Sequence, residues 1–346
     1  MTKLMNDILR QPGELQKSLE HTLNEGRHAL ARGAALVRGA EHVFITGIGS
    51  SWHAGMAIQA LFNAAGRPVH LADASELLHF TALSKGAVVI ALSRSGKSVE
   101  IVKLLDKAEK AGAHVVGVTN TPGSPLGKRA EAVLRLNTAF DHNISITMYS
   151  ALTLVGGLLA AETLGTLNEA LAKGLQQTLV ECENLLPAWR DKVEAHTWFE
   201  PETPTYLLAR GAGMASASET RLLWEEGAKA PACAMTTGGF RHGPQEILAG
   251  KVRVGLWIDE QVLREQDLAL AADLKTRGAR VMVIGRDVPA DAADLVLPVP
   301  PTPPGWQFLA DIMPGQVAAE RLARARNADC DNFLICPYII EKEGGL

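Results

Sequence analysis

Short apolar runs alternating with amphipathic stretches set the pattern of this chain. Val88-Val89-Ile90-Ala91 is the plainest run: unbroken, β-branched and short, it reads as a strand covered on both faces of a parallel sheet. Helical spacing then takes over at Val99, Val102, Leu105 and Ala108. The same alternation predicts strands at 43–46, 68–71, 88–92, 114–119 and 132–136, with helices between them. Residues 1 to about 40 read as helical, with an early break at Gln11-Pro12. A long helical stretch from about 145 to 193 is interrupted near Gly165 and Pro187. The strand–helix alternation then restarts, with strands at 205–209, 233–235, 252–258, 280–284 and 293–297.

Two halves in the same order suggest a duplication, with the boundary near Pro201-Glu202-Thr203-Pro204. The expected fold is α/β: two doubly wound domains, each a mostly parallel five-stranded sheet flanked by helices. The predicted layout is a helical segment at 1–40, a first, phosphate-binding domain at 41–165, a helical connector at 166–200, and a second domain with a carboxyl-terminal tail at 201–346.

The loop after the third strand, Ser93-Arg94-Ser95-Gly96-Lys97-Ser98, carries three hydroxyls and two cations into the start of a helix. Free amides at a helix start, with the positive end of its dipole, favour an anion, and the hydroxyls add donors. A phosphate monoester fits. The loop is not a nucleotide P-loop, which needs glycine where Ala91 stands. Gly47-Ile48-Gly49 after the first strand lacks the third dinucleotide glycine, because Trp52 holds its place. A serine-capped helix with no ligand fits Ser93 to Ser98 taken alone equally well. In a doubly wound sheet, ligands collect at the carboxyl ends of strands where the order reverses, so Ser51 and Ser93 are expected to face one crevice. The second-half counterpart, Leu256-Trp257-Ile258-Asp259-Glu260, carries two carboxylates that would repel a phosphate. One phosphate per chain is expected, in the first half.

Composition narrows the classes further. The 346 residues are 47% hydrophobic and 21% charged, which is ordinary for a globular protein. A formal charge of −4 offers no basic face to nucleic acid or to an anionic membrane. The first residues lack an apolar stretch of signal-peptide length, and the apolar segment 144–164 is broken by Ser145, Thr147, Ser150, Thr153 and Glu162, as in a buried helix. Cys182, Cys233, Cys330 and Cys336 form no CxxC pair, which predicts reduced thiols, a cytoplasmic setting and no zinc site. No metal or cofactor is expected.

GIGSSWHAG followed by ALSRSGKSVE resembles the two phosphosugar loops of sugar isomerase (SIS) domains. The spacing of the halves is similar to the tandem-SIS isomerase module of glucosamine-6-phosphate synthase and to the fructosamine-6-phosphate deglycases. The opening MNDILRQP and the loop Phe240-Arg241-His242-Gly243-Pro244 also resemble that family. The resemblance implies that Ser50, Ser51, Ser93, Ser95 and Ser98 contact the phosphate, with Arg94 where the synthase has glutamine. It puts Glu226 on the carboxylate that moves protons at the sugar C1–C2 atoms. It puts His242 on the histidine associated with ring opening, commonly supplied by the neighbouring subunit of a homodimer. Leu223 and Cys336 stand where the synthase has two lysines, and its glutaminase domain is not expected, since the sequence opens directly on the region that resembles the SIS module. These departures point to a phosphosugar isomerase or a deglycase of 6-phosphorylated fructosamines or amino sugars. A non-catalytic sugar-phosphate sensor and an aminotransferase half without its glutaminase are the alternatives.

Overall fold

The computed structural model describes residues 1–200, 202–342 and 344. Pro201, at the expected boundary, and the last residues of the expected tail lie outside the described residues. The chain forms two compact units. One comprises Gly13–Asp141, Ser145–Gln176 and the tail from Phe333; the other comprises Met1–Pro12, His142–Ile144 and Gln177–Asn332.

The first unit holds β1 (Val43–Gly47), β2 (His70–Asp73), β3 (Val88–Leu92), β4 (His114–Thr119) and β5 (Ala132–Arg135) in the order β2-β1-β3-β4-β5. All four pairings are parallel. The central strands β1 and β3 are buried throughout, as their unbroken apolar runs require. One face carries α4 (Ala74–His79), α5 (Val99–Ala111) and α6 (Pro125–Arg129), packed through Leu77, Val89, Leu105, Val115 and Leu126. On the other face lie α2 (Arg27–Gly39), α3 (Ser50–Ala64) and α7 (Thr147–Leu164). By length and composition α7 could cross a membrane, but 89% of it is buried inside the protein; it is a core helix. It ends as its sequence predicts, with Gly165 in the left-handed conformation at φ 72°.

The second unit repeats the plan. Its strands are β6 (Thr205–Ala209), β7 (Ala232–Thr236), β8 (Arg253–Trp257), β9 (Arg280–Gly285) and β10 (Leu295–Pro298), all parallel, in the order β10-β9-β8-β6-β7. Read from β7, this is the order of the first sheet. Helix α9 (Gly213–Glu226) packs on α12 (Phe308–Ala325), and α11 (Arg264–Thr276) covers the opposite face through Val254, Leu256, Ala271, Leu274 and Val281.

Two predicted breaks are absent. Helix α1 runs Lys3–Leu23 through Pro12, and α8 runs Glu169–Glu194 through Pro187. An interior proline costs about 3 kcal/mol. Buried neighbours offset that cost on each side: Ile8, Leu15 and Leu19 around Pro12, and Cys182, Leu186 and Trp189 around Pro187. Burying side chains of this size contributes about 1.5–3 kcal/mol each.

Candidate functional site

The order of the first sheet reverses between β1 and β3, so the loops leaving these strands diverge and open a crevice at their carboxyl ends. Thr46 is in register with Ala91, which sets the two serine loops side by side. Adjacent strands lie about 4.8 Å apart. The first loop turns sharply into α3. A Cβ on Gly47 would stand 2.7 Å from the Ser51 carbonyl carbon, and Gly49 takes φ 56°, ψ −127°. Only glycine fits both demands. Ser50 and Ser51 open the helix, and no side chain caps it.

In the second loop the serine hydroxyls are held by backbone amides. Ser93 Oγ accepts from Gly96 N at 3.0 Å, and Ser95 Oγ accepts from Lys97 N at 3.2 Å. An oxygen that accepts from an amide still has its own O–H to donate, so the hydroxyls of Ser93 and Ser95 are oriented as donors. Both residues are buried. Ser98 holds the N-cap position of α5 without a side-chain capping bond. The Arg94 carbonyl is fixed by Asn120 N and Thr119 Oγ1, each at 3.2 Å. The Arg94 guanidinium faces the tail: Nη2 donates to the Tyr338 carbonyl at 3.1 Å and the group lies 4.1 Å from the Tyr338 ring centroid. The unit thus gathers Ser50, Ser51, Ser93, Ser95 and Ser98 at one end of its sheet, with Arg94 engaged on the tail.

The counterpart loop of the second unit already contains its anion. Asp259 Oδ2 accepts from Val262 N at 2.9 Å and Leu263 N at 2.7 Å, and Oδ1 accepts from Gln261 N at 3.3 Å. The buried Asp267 accepts from Asp259 N and pairs with Arg210 at 2.7 Å. A carboxylate of the chain already accepts from the amides of this loop. Nearby, Ser216 Oγ donates to Asp311, whose carboxyl burial pushes well above the usual carboxylate range; burial also raises Glu260.

Glu226 and His242 lie in this second unit. Glu226 is the last residue of α9, which descends from the carboxyl end of β6 to the amino end of β7. Its neighbour Glu225 is paired with Arg221 at 2.5 Å. His242 follows α10 (Thr237–Arg241), beyond the carboxyl end of β7, and its side chain is exposed. The five residues of β7 span about 16 Å, so Glu226 and His242 of one chain stand at opposite ends of the sheet. Leu223 is buried and Cys336 is an exposed thiol. Lys229 donates to the Glu226 carbonyl and, at 3.2 Å, to that of Asn332. The tail contact of Arg94 depends on folded geometry; of the anion-filling role of Asp259, the sequence carried only the carboxylate.

A doubly wound α/β protein with preorganised serine donors at a sheet's switch point is the class these features define. Residues 36–161 match the SIS domain. Across 344 residues it is 26% identical to the glutamine–fructose-6-phosphate aminotransferase (isomerizing) of Gloeobacter violaceus, covering 95% of this chain and 56% of that protein. The chain thus spans about half the length of the curated relatives it matches. In fold it is similar to the C-terminal domain of glucosamine-fructose-6-phosphate aminotransferase from Francisella tularensis: TM-score 0.83, 17% identity, 96% of this chain and 98% of that one. It is also similar to the tagatose-6-phosphate ketose/aldose isomerase of Escherichia coli: TM-score 0.80, 21% identity, 97% and 96%.

Proposed function

We propose that this chain is a cytoplasmic enzyme of the phosphosugar isomerase or deglycase type, acting on a 6-phosphorylated amino sugar or fructosamine. The observation that carries the reading is the pair Ser93 and Ser95, whose hydroxyls are turned into donors by Gly96 N and Lys97 N at the switch point of a SIS domain. The 6-phosphate is held by Ser50, Ser51, Ser93, Ser95 and Ser98, and the duplicated second half, read as a second SIS domain, supplies the chemistry. Glu226 takes a proton from the sugar C1–C2 unit and returns it through an enediol or enaminol; with a fructosamine this gives a C1 imine, to which water adds as the C1–N bond breaks, and His242 assists ring opening or protonates the leaving amine. The length of β7 keeps these residues apart within one chain. The reading therefore assigns them to different copies of a homodimer, with His242 entering from the second copy. A substrate that already carries its amine needs no Schiff-base lysine, which agrees with Leu223 and Cys336.

Incubation with a panel of 6-phosphorylated fructosamines, ketoses and aldoses tests this, with aldose 6-phosphate and free amine as readouts. Turnover of at least one member is expected. Tight binding without turnover of any of them favours the sensor instead. The aminotransferase half is the second reading, and Leu223 and Cys336 argue against it. Borohydride trapping separates the two: the deglycase reading expects no sugar adduct, and an adduct on Lys229 supports the aminotransferase.

A further inference from the structure

Outside the candidate site, the second unit holds a cavity of about 370 Å³ where the end of α8, one face of α12 and the start of α1 meet. Val317, Glu320, Arg321 and Arg324 share that face of α12 through their spacing of three and four. Met5, Val193 and Val317 are buried and make an apolar wall. The remaining walls are ionic. The guanidiniums of Arg190, Arg321 and Arg324 stand with the carboxylates of Asp191, Glu194 and Glu320, so the walls carry no net charge.

These charges are unevenly used. Arg324 Nε donates to both oxygens of Glu320, at 3.1 and 3.0 Å, and its terminal nitrogens donate to Glu194, one of them at 3.3 Å. Thr2 Oγ1 adds a bond to Glu320 at 2.9 Å. Arg321 is left out of this arrangement. Its Nε is buried and makes no hydrogen bond among the described residues; the Glu194 oxygen that Arg324 holds lies 3.7 Å away, beyond reach. A buried charged donor in that state is costly and calls for a partner. Arg190 and Asp191 are exposed, and their side chains make no hydrogen bond among the described residues. As neighbours on α8 they do not face each other, so they do not cancel as a pair.

We propose that this cavity binds a zwitterionic α-amino acid with an aliphatic side chain. Arg321, with Arg190, takes the carboxylate, which a guanidinium fork matches in shape and charge. Asp191 takes the ammonium, and the side chain lies on Met5, Val193 and Val317. Neutral walls with donors and an acceptor both uncommitted suit a ligand of the same kind better than a simple anion or cation. The volume falls in the range of small-molecule sites, and an apolar wall with a few convergent polar groups is their usual make-up. None of these residues belongs to the serine loops or to the pair Glu226 and His242, so the inference stands apart from the proposed reaction.

Calorimetry on the full chain with L-leucine tests it, beside three probes that each lack one feature. L-leucinamide lacks the carboxylate, 4-methylpentanoate the ammonium and glycine the side chain. Leucine should bind, and each of the three should bind at least about tenfold more weakly, as for one lost bond to a charged group or two lost buried methylenes. Arg321→Gln should weaken leucine by a similar factor. Asp191→Asn should weaken leucine without weakening 4-methylpentanoate. Arg190 and Asp191 are exposed, so Arg190→Gln and Asp191→Asn report on the site even if Arg321→Gln fails to fold. Leucine should also slow hydrogen exchange of peptides covering 190–194 and 317–324. No leucine binding, equal affinity for leucine and 4-methylpentanoate, or full affinity in both Arg190→Gln and Asp191→Asn overturns the proposal. Leucine affinity should be unchanged in Ser93→Ala/Ser95→Ala; its loss there would place the ligand at the serine loop and overturn the proposal too.

Discussion

Replacing both Ser93 and Ser95 by alanine probes the phosphate site most sharply. Each hydroxyl is fixed by one amide, Gly96 N at 3.0 Å and Lys97 N at 3.2 Å, so each substitution removes one oriented donor and frees one amide. A hydrogen bond to a charged group contributes about 1.5–3 kcal/mol, or roughly 10- to 150-fold in affinity. Some of that loss is recovered, because the freed amides can donate to the phosphate directly. The double variant should therefore bind glucose 6-phosphate at least about tenfold more weakly, rather than by the full product of two losses. Without ligand, an amide left unsatisfied costs about 1–3 kcal/mol of stability, so the variant should also melt earlier. Titration calorimetry with glucose 6-phosphate and glucose, beside a urea melt of the free protein, separates the effects. Wild-type affinity for glucose 6-phosphate in the variant, or equal loss for both sugars, would refute the reasoning.

If one site draws Glu226 and His242 from different copies, mixing inactive Glu226→Gln with inactive His242→Ala subunits should restore part of the activity once exchange is verified; no recovery would return both residues to one chain. Asp311→Asn should flatten the pH dependence of stability. The folded-state pKa of Asp311 is raised by burial, so its contribution is full below about pH 4 and falls as pH climbs toward the folded value. Urea midpoints at pH 4.5 and 7.5 should differ less in the variant than in wild type. An unchanged difference would assign the slope to other groups such as Glu260, whose carboxyl is raised in the same direction.

Most of the fold was legible because its central strands are buried on both faces and cannot be anything but apolar runs. The reading 88–92 coincides with β3, and 205–209 with β6. Edge strands were less clear: β2 begins at His70 rather than Pro68, and β10 at Leu295 rather than Ala293. One side of an edge strand meets solvent, so its pattern does not fix its ends. Pro12 and Pro187 misled for the opposite reason, since tertiary packing overrode a local preference. At the candidate site, the serine loops were readable from local sequence. The tail carbonyls on Arg94 and Val99 were not, because they join residues more than 200 positions apart.

The central claim is that a sugar phosphate anchored by the first unit loses and regains a proton at C1–C2 through Glu226. Deuterium exchange measures this whichever amine the substrate carries. A panel of 6-phosphorylated ketoses and fructosamines is incubated in D2O with wild type and with Glu226→Gln, and C1 and C2 are followed by NMR. Incorporation at one of these carbons is expected with wild type for at least one phosphorylated member, and none for its unphosphorylated form. Glu226→Gln should be slower by about 10²- to 10⁴-fold, the usual weight of a general acid–base group, while still binding the phosphosugar. Equal exchange by both proteins, or tight binding of phosphosugars with no exchange into any of them, would contradict it.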